Sequence, residues 1–139
     1  MQPDRTEDPA QDAAVCRRLA WVVAALGIAS IAVPDTGRAL GVDVDVDRSV
    51  EIVDHVVPGL ATVVAALVLW MSAERFGVQL AAWGAVLLAG LWVTVSHIPL
   101  VADAGQGVVG WPDALFHATL GAPILLIGLW QFAILVRGA

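Results

Sequence analysis

The chain has 139 residues, of which 59% are apolar and 14% charged, against roughly 25% charged in an ordinary soluble domain. A core this small cannot hide so much apolar surface from water, and the charges are gathered between long apolar runs, which excludes a soluble globular fold. Thirteen acids face seven arginines and no lysine, for a net charge of −6, so nucleic acid is not an expected partner.

Residues 1–16 carry Asp4, Glu7, Asp8 and Asp12 and read as a polar cytoplasmic N-terminal tail, leaving 17–139 as the transmembrane domain. The single Cys16 excludes an intramolecular disulfide and a multi-cysteine metal cluster. Beside Arg17 and Arg18 it could accept a lipid, but it reads as an ordinary packed thiol. A helix needs about twenty apolar residues to cross about 30 Å of hydrocarbon. The first apolar run, Leu19 to Val33, reaches that length only if the turn from Ala13 joins it while the arginines snorkel to the headgroups. Arg17-Arg18, this run and the small residues Ser30 and Ala32 also imitate a cleaved signal peptide, although the four acids upstream are unlike a basic leader. The second span runs from about Val50 to Ser72, the third from about Gly77 to Ile98, and the fourth from about Pro112 to Val136. The predicted fold is an all-α membrane protein, a four-helix transmembrane bundle.

Arginine placement orients it, because positive residues near span ends stay on the cytoplasmic side. With both termini cytoplasmic in the cell membrane, Arg5, Arg17, Arg18, Arg75 and Arg137 lie inside and only Arg38 and Arg48 outside. The external face then gathers Asp35, Asp43, Asp45, Asp47, Glu51, Asp54, Asp103 and Asp113. Trp70, Trp83, Trp130 and Trp111 fall near span ends, as an aromatic belt would place them.

Packing between helices in lipid relies on small residues. Gly77, Ala81, Ala85 and Ala89 recur every four positions on the third span, and Ala61 and Ala65 on the second, which predicts that these faces meet neighbours. Pro58 and Pro123 predict kinks, and Pro99 the end of the third helix.

Shifted by 62 residues, the chain aligns with itself: Trp21 on Trp83, Glu51 on Asp113, His55 on His117 and Gly59 on Gly121. That pattern is consistent with two repeated helical hairpins running in the same direction. The segment from Trp83 through Gly90-Leu91-Trp92 to Ser96, followed by Trp111-Pro112-Asp113 and Gly128-Leu129-Trp130, resembles the SPW-repeat family of small membrane proteins. The likeness covers about 55 residues of the second half, and His97-Ile98-Pro99 follows Ser96 where that family has its Ser-Pro-Trp tripeptide. The resemblance implies a four-helix membrane fold and no particular chemistry.

The three histidines, His55, His97 and His117, fall at a common depth near the acidic side. Glu51 precedes His55, and Asp113 precedes His117, by four residues, so each carboxylate can lie over its imidazole and orient it as an outer-layer support for a metal ligand. Three such rings can bind copper or zinc, or two can clamp a haem iron. The plainer alternative is an interfacial set bonded to water or carbonyls, with no metal or cofactor. Asp43, Asp45 and Asp47 imitate the opening of a calcium loop, but Arg48 stands where the turn glycine belongs, and a solvated loop is the expectation. Elsewhere the spans hold no ionisable group, which disfavours proton-coupled transport, and no hydrolase, nucleotide or zinc-protease motif occurs. The first reading is a non-enzymatic structural or accessory membrane component in contact with lipid, as a homo-oligomer or beside another membrane protein. The alternatives are a metal- or haem-binding redox module at the external leaflet and a subunit of a small transporter.

Overall fold

The computed structural model describes residues 9–42 and 47–138, and every regular element among them is a helix. Helix α1 (Pro9–Leu40) rises from an end marked by Arg17, Arg18, Arg75 and Arg137 to the opposite, acidic end. The chain returns through α2 (Arg48–Glu51), a π-helical turn (Ile52–Val56) and α3 (Val57–Met71), and rises again as α4 (Phe76–Ser96). The short α5 (Ile98–Gly105) and α6 (Trp111–Ala118) fold over the acidic end, and α7 (Gly121–Gly138) descends. Among the described residues four stretches are long and apolar enough to cross a membrane: Ala13–Leu40, Arg48–Met71, Phe76–Gly105 and Trp111–Gly138. The result is an all-α four-helix bundle. Helix α1 has 32 residues, about 48 Å at 1.5 Å per residue, so it outreaches the hydrocarbon and begins within the stretch read as a tail.

The prolines explain where the helices break. Pro58 offers no N–H to Asp54, and the ladder slips to a π turn over Ile52–Val56, where the Val57 N–H bonds the Ile52 carbonyl. Pro99 stands in the first turn of α5, after α4 has stopped at Ser96. Pro123 cannot bond Thr119, and α6 and α7 are separated by a turn at Thr119–Leu120. His55 and His97 sit inside the first two breaks and His117 two residues before the third, in the last turn of α6.

The apolar core occupies the arginine half. Trp83, 1% exposed, is its largest side chain, surrounded by Ala13, Cys16, Val23, Leu69 and Val86. Trp83 therefore belongs to the core and not to an interfacial belt, whereas Trp70, Trp111 and Trp130 are exposed. Trp21, which the 62-residue offset places on Trp83, is exposed, so the two halves are not interchangeable there. The burial of Cys16 agrees with a packing thiol.

Helix α1 packs most extensively along α3, and α4 along α7, giving two hairpins. Close approaches fall at glycines: a Cβ on Gly59 would lie 2.8 Å from the Gly27 carbonyl oxygen, one on Gly121 would lie 2.7 Å from the Thr94 nitrogen, and one on Gly90 would press closer still on the Leu125 nitrogen. Gly59 and Gly121 are the pair that the 62-residue offset superposes, but their partners do not correspond, since the offset carries Gly27 to Ala89 and not to Thr94. The small-residue ridge is a partial correction. Gly77, Ala81 and Ala61 are exposed, whereas Ala65 and Ala89 are buried. The contact face of α4 runs through Ala82, Val86, Gly90 and Val93, one residue and so about 100° round from the expected stripe.

At the arginine end, the Gln79 side-chain amide donates to the Ala73 carbonyl and closes the α3–α4 turn. Arg17 reaches Glu74 at 3.3 Å with both side chains exposed, a contact worth little. At the acidic end Asp47 caps α2, accepting from the Ser49 hydroxyl at 2.6 Å and the Ser49 N–H at 2.7 Å. These bonds hold its carboxyl below the usual range, the hydroxyl contributing most. A depressed carboxyl stabilises the fold above its unfolded pKa and loses that contribution as pH falls through the folded one. Asp47→Ala is accordingly expected to lower unfolding stability at pH 7 and to converge with the parent in strong acid, read by detergent unfolding at both pH values. Residues 43–46 of the calcium-like loop lie outside the described residues.

Candidate histidine-floored cavity

Where α2, the π turn, α4, α5 and α6 meet at the acidic end, a cavity of about 360 Å³ is lined by Val50, Glu51, Asp54, His55, Ser96, His97, Pro99, Leu100, Asp103, Val109 and His117. The three histidines come together, at 2%, 6% and 3% exposure for His55, His97 and His117. His55 is central, its ring centroid 4.6 Å from that of His97 and 5.7 Å from that of His117.

Their tautomers follow from their partners, since a carbonyl can only accept. His97 Nδ1 lies 2.7 Å from the Val93 carbonyl oxygen, and His117 Nδ1 lies 2.9 Å from the Asp113 carbonyl oxygen. In both rings Nδ1 carries the proton, the bond runs four residues back along the helix, and Nε2 is left with a lone pair. His55 Nε2 stands 3.1 Å from His97 Nε2. In the neutral cluster the proton between them belongs to His55, whose Nδ1 is then a bare lone pair. His55 Nδ1 and His117 Nε2 are both buried with no hydrogen-bond partner among the described residues. Leaving such atoms without a partner costs about 1–3 kcal/mol each. Beneath the floor Ser30 of α1 donates to the His55 carbonyl at 3.2 Å, tying the π turn to the first helix.

The carboxylates act differently from the expected i,i+4 support. Glu51, 3% exposed, pairs with Arg38 of α1, because a guanidinium outcompetes a neutral imidazole for a buried carboxylate. Asp113 supports His117 through its backbone carbonyl, while its side chain folds back over Gly110 at the start of α6, towards the positive end of that helix.

No family model, curated protein or solved structure matches this chain.

Haem does not fit the floor. Two imidazoles on one iron hold their nitrogens roughly 4 Å apart across a porphyrin, twice a metal–nitrogen bond of about 2 Å, whereas the Nε2 atoms of His55 and His97 touch directly at 3.1 Å. Among the described residues no three His, Cys, Asp or Glu side chains are already drawn around one point as metal ligands. Asp54, Ser96 and Asp103 also line the cavity, and no motif in the sequence marks them as site residues. The only signal for Asp54 is its place beside His55, and Asp103 reaches the cavity because α5 folds back after Pro99.

Proposed function

We propose that the protein is a non-enzymatic multi-pass membrane component, with both termini cytoplasmic, that binds a small cation in an externally open cavity floored by imidazoles. The observation that carries this reading is the buried, unpartnered lone pair on His117 Nε2, beside the His55–His97 pair in a cavity that Asp54 and Asp103 also line. Lone pairs and carboxylates are acceptors, and a positive ligand is what would satisfy both. The arginine distribution supports the orientation, placing the acidic end outside. The likeness of 83–130 to SPW-repeat proteins agrees with a small membrane component and names no reaction.

Gly105 has open space around it, so Gly105→Cys in a Cys16→Ser background provides a label site at the acidic end. An impermeant maleimide should label it in intact cells, while a C-terminal reporter reads cytoplasmic. Protection of the introduced thiol until lysis would reverse the orientation. For the cavity, melting of the purified protein should rise with at least one cation from a set of zinc, magnesium, calcium and tetramethylammonium, by the linkage of binding to folding. A flat response to all four would overturn the cation reading.

A further inference from the structure

Resting on that reading, we propose that the cation is a d-block dication, zinc or copper(II), held by the Nε2 atoms of His55, His97 and His117. Two ligands on a tetrahedral ion with bonds of 2.0–2.1 Å stand roughly 3.3 Å apart, and His55 Nε2 and His97 Nε2 are 3.1 Å apart. That pair is already spaced for one shared ion. His97 and His117 have Nδ1–H fixed on the carbonyls of Val93 and Asp113, the arrangement by which proteins orient an imidazole and expose Nε2 to a metal. His117 Nε2 is the third donor, buried and unpartnered, and closes the set by a shift of its ring towards His55. On binding, His55 gives up its Nε2 proton and takes one at Nδ1, so no net proton need leave the cluster; of the two unpartnered atoms only His117 Nε2 meets the ion, and the His55 Nδ1–H becomes a donor that requires water as its acceptor. Nitrogen donors select zinc and copper over magnesium and calcium, which require oxygen. Asp54 and Asp103, at the cavity wall, balance the ion's charge.

The three ligands come from both hairpins, His55 from the first and His97 and His117 from the second, so the ion would clamp one hairpin to the other. The test uses the full chain in detergent, purified with a tag that contains no histidine. One equivalent of copper(II) should give an electron paramagnetic resonance spectrum split by coordinated imidazole nitrogens, and copper(II) should displace bound zinc, since nitrogen donors hold copper(II) more tightly. His97→Gln should weaken zinc binding by about 100-fold or more, since even outer-layer changes cost 10–100-fold. A copper spectrum without nitrogen splitting overturns the proposal without recourse to any variant, as does zinc binding of equal strength in folded His97→Gln and His55→Gln proteins. Stabilisation by magnesium, calcium or tetramethylammonium but not zinc overturns the metal assignment and leaves the cation reading standing. No response to any cation overturns both.

Discussion

Gly90→Ala in α4 is expected to cost about 2–4 kcal/mol of bundle stability, at or beyond the upper end of ordinary overpacking, while Gly77→Ala on the same helix changes it by a few tenths or raises it. A methyl on Gly90 would press on the Leu125 nitrogen and lie 2.6 Å from the Leu125 Cα and 2.8 Å from the Ile124 carbonyl carbon. Those are backbone atoms of a helix and cannot rotate aside, so the whole α4–α7 pair must separate. Separation forfeits contacts along its length, including those of Gly128, where a Cβ would meet the Leu87 nitrogen at 2.7 Å. Gly77 has nothing within 4 Å, so its methyl faces open space. Helix propensity favours alanine at both sites, and more at the interior Gly90 than in the first turn at Gly77, so the difference between them is a lower bound on the packing cost. Unfolding by titration with sodium dodecyl sulfate, followed by tryptophan fluorescence, supplies the two free energies. Equal values would mean that α4 and α7 do not approach as described.

Spans and breaks are legible in the sequence because they depend on one-dimensional quantities: runs of apolar residues, and prolines that remove a named donor. The common depth of the histidines is legible for the same reason. Azimuth is not, because a helix turns about 100° per residue and an apolar stripe facing lipid looks like one facing protein. Hence the sequence favours the Gly77 stripe over the Ala82–Val86–Gly90 face, and assigns Trp83 to the interface rather than to the core. Glycines seven apart, Gly121 and Gly128, are the available sign of the true seam, since two turns return a residue to the same face. Partner choice is equally hidden. Glu51 lies four residues before His55, but the guanidinium that takes it comes from α1, 13 positions earlier.

Arg38→Leu is the second substitution with a large expected effect. Glu51 is 3% exposed, and its ion pair with Arg38 joins the top of α1 to the start of the second span. Breaking a buried pair by removing one partner costs about 3–5 kcal/mol, because the remaining charge stays desolvated. Arg38 is 37% exposed at its side chain and also bonds Asp35 at 2.8 Å, and Glu51 borders the cavity, so screening brings the expected loss to about 2–3 kcal/mol. The same reasoning fixes the sign of a second change: Glu51→Gln added to Arg38→Leu removes the stranded charge and should recover at least half of the loss. A double-mutant cycle in detergent unfolding, with Glu51→Gln alone as the fourth corner, isolates the pair from the Asp35 contact. If the double variant is no more stable than Arg38→Leu, the cost belongs to the lost guanidinium packing, and Glu51 is already served by water from the cavity. Recovery, by contrast, would locate the fastening of the first hairpin at the rim of the histidine cavity, where α1 and the π turn are also joined by Ser30 and the His55 carbonyl.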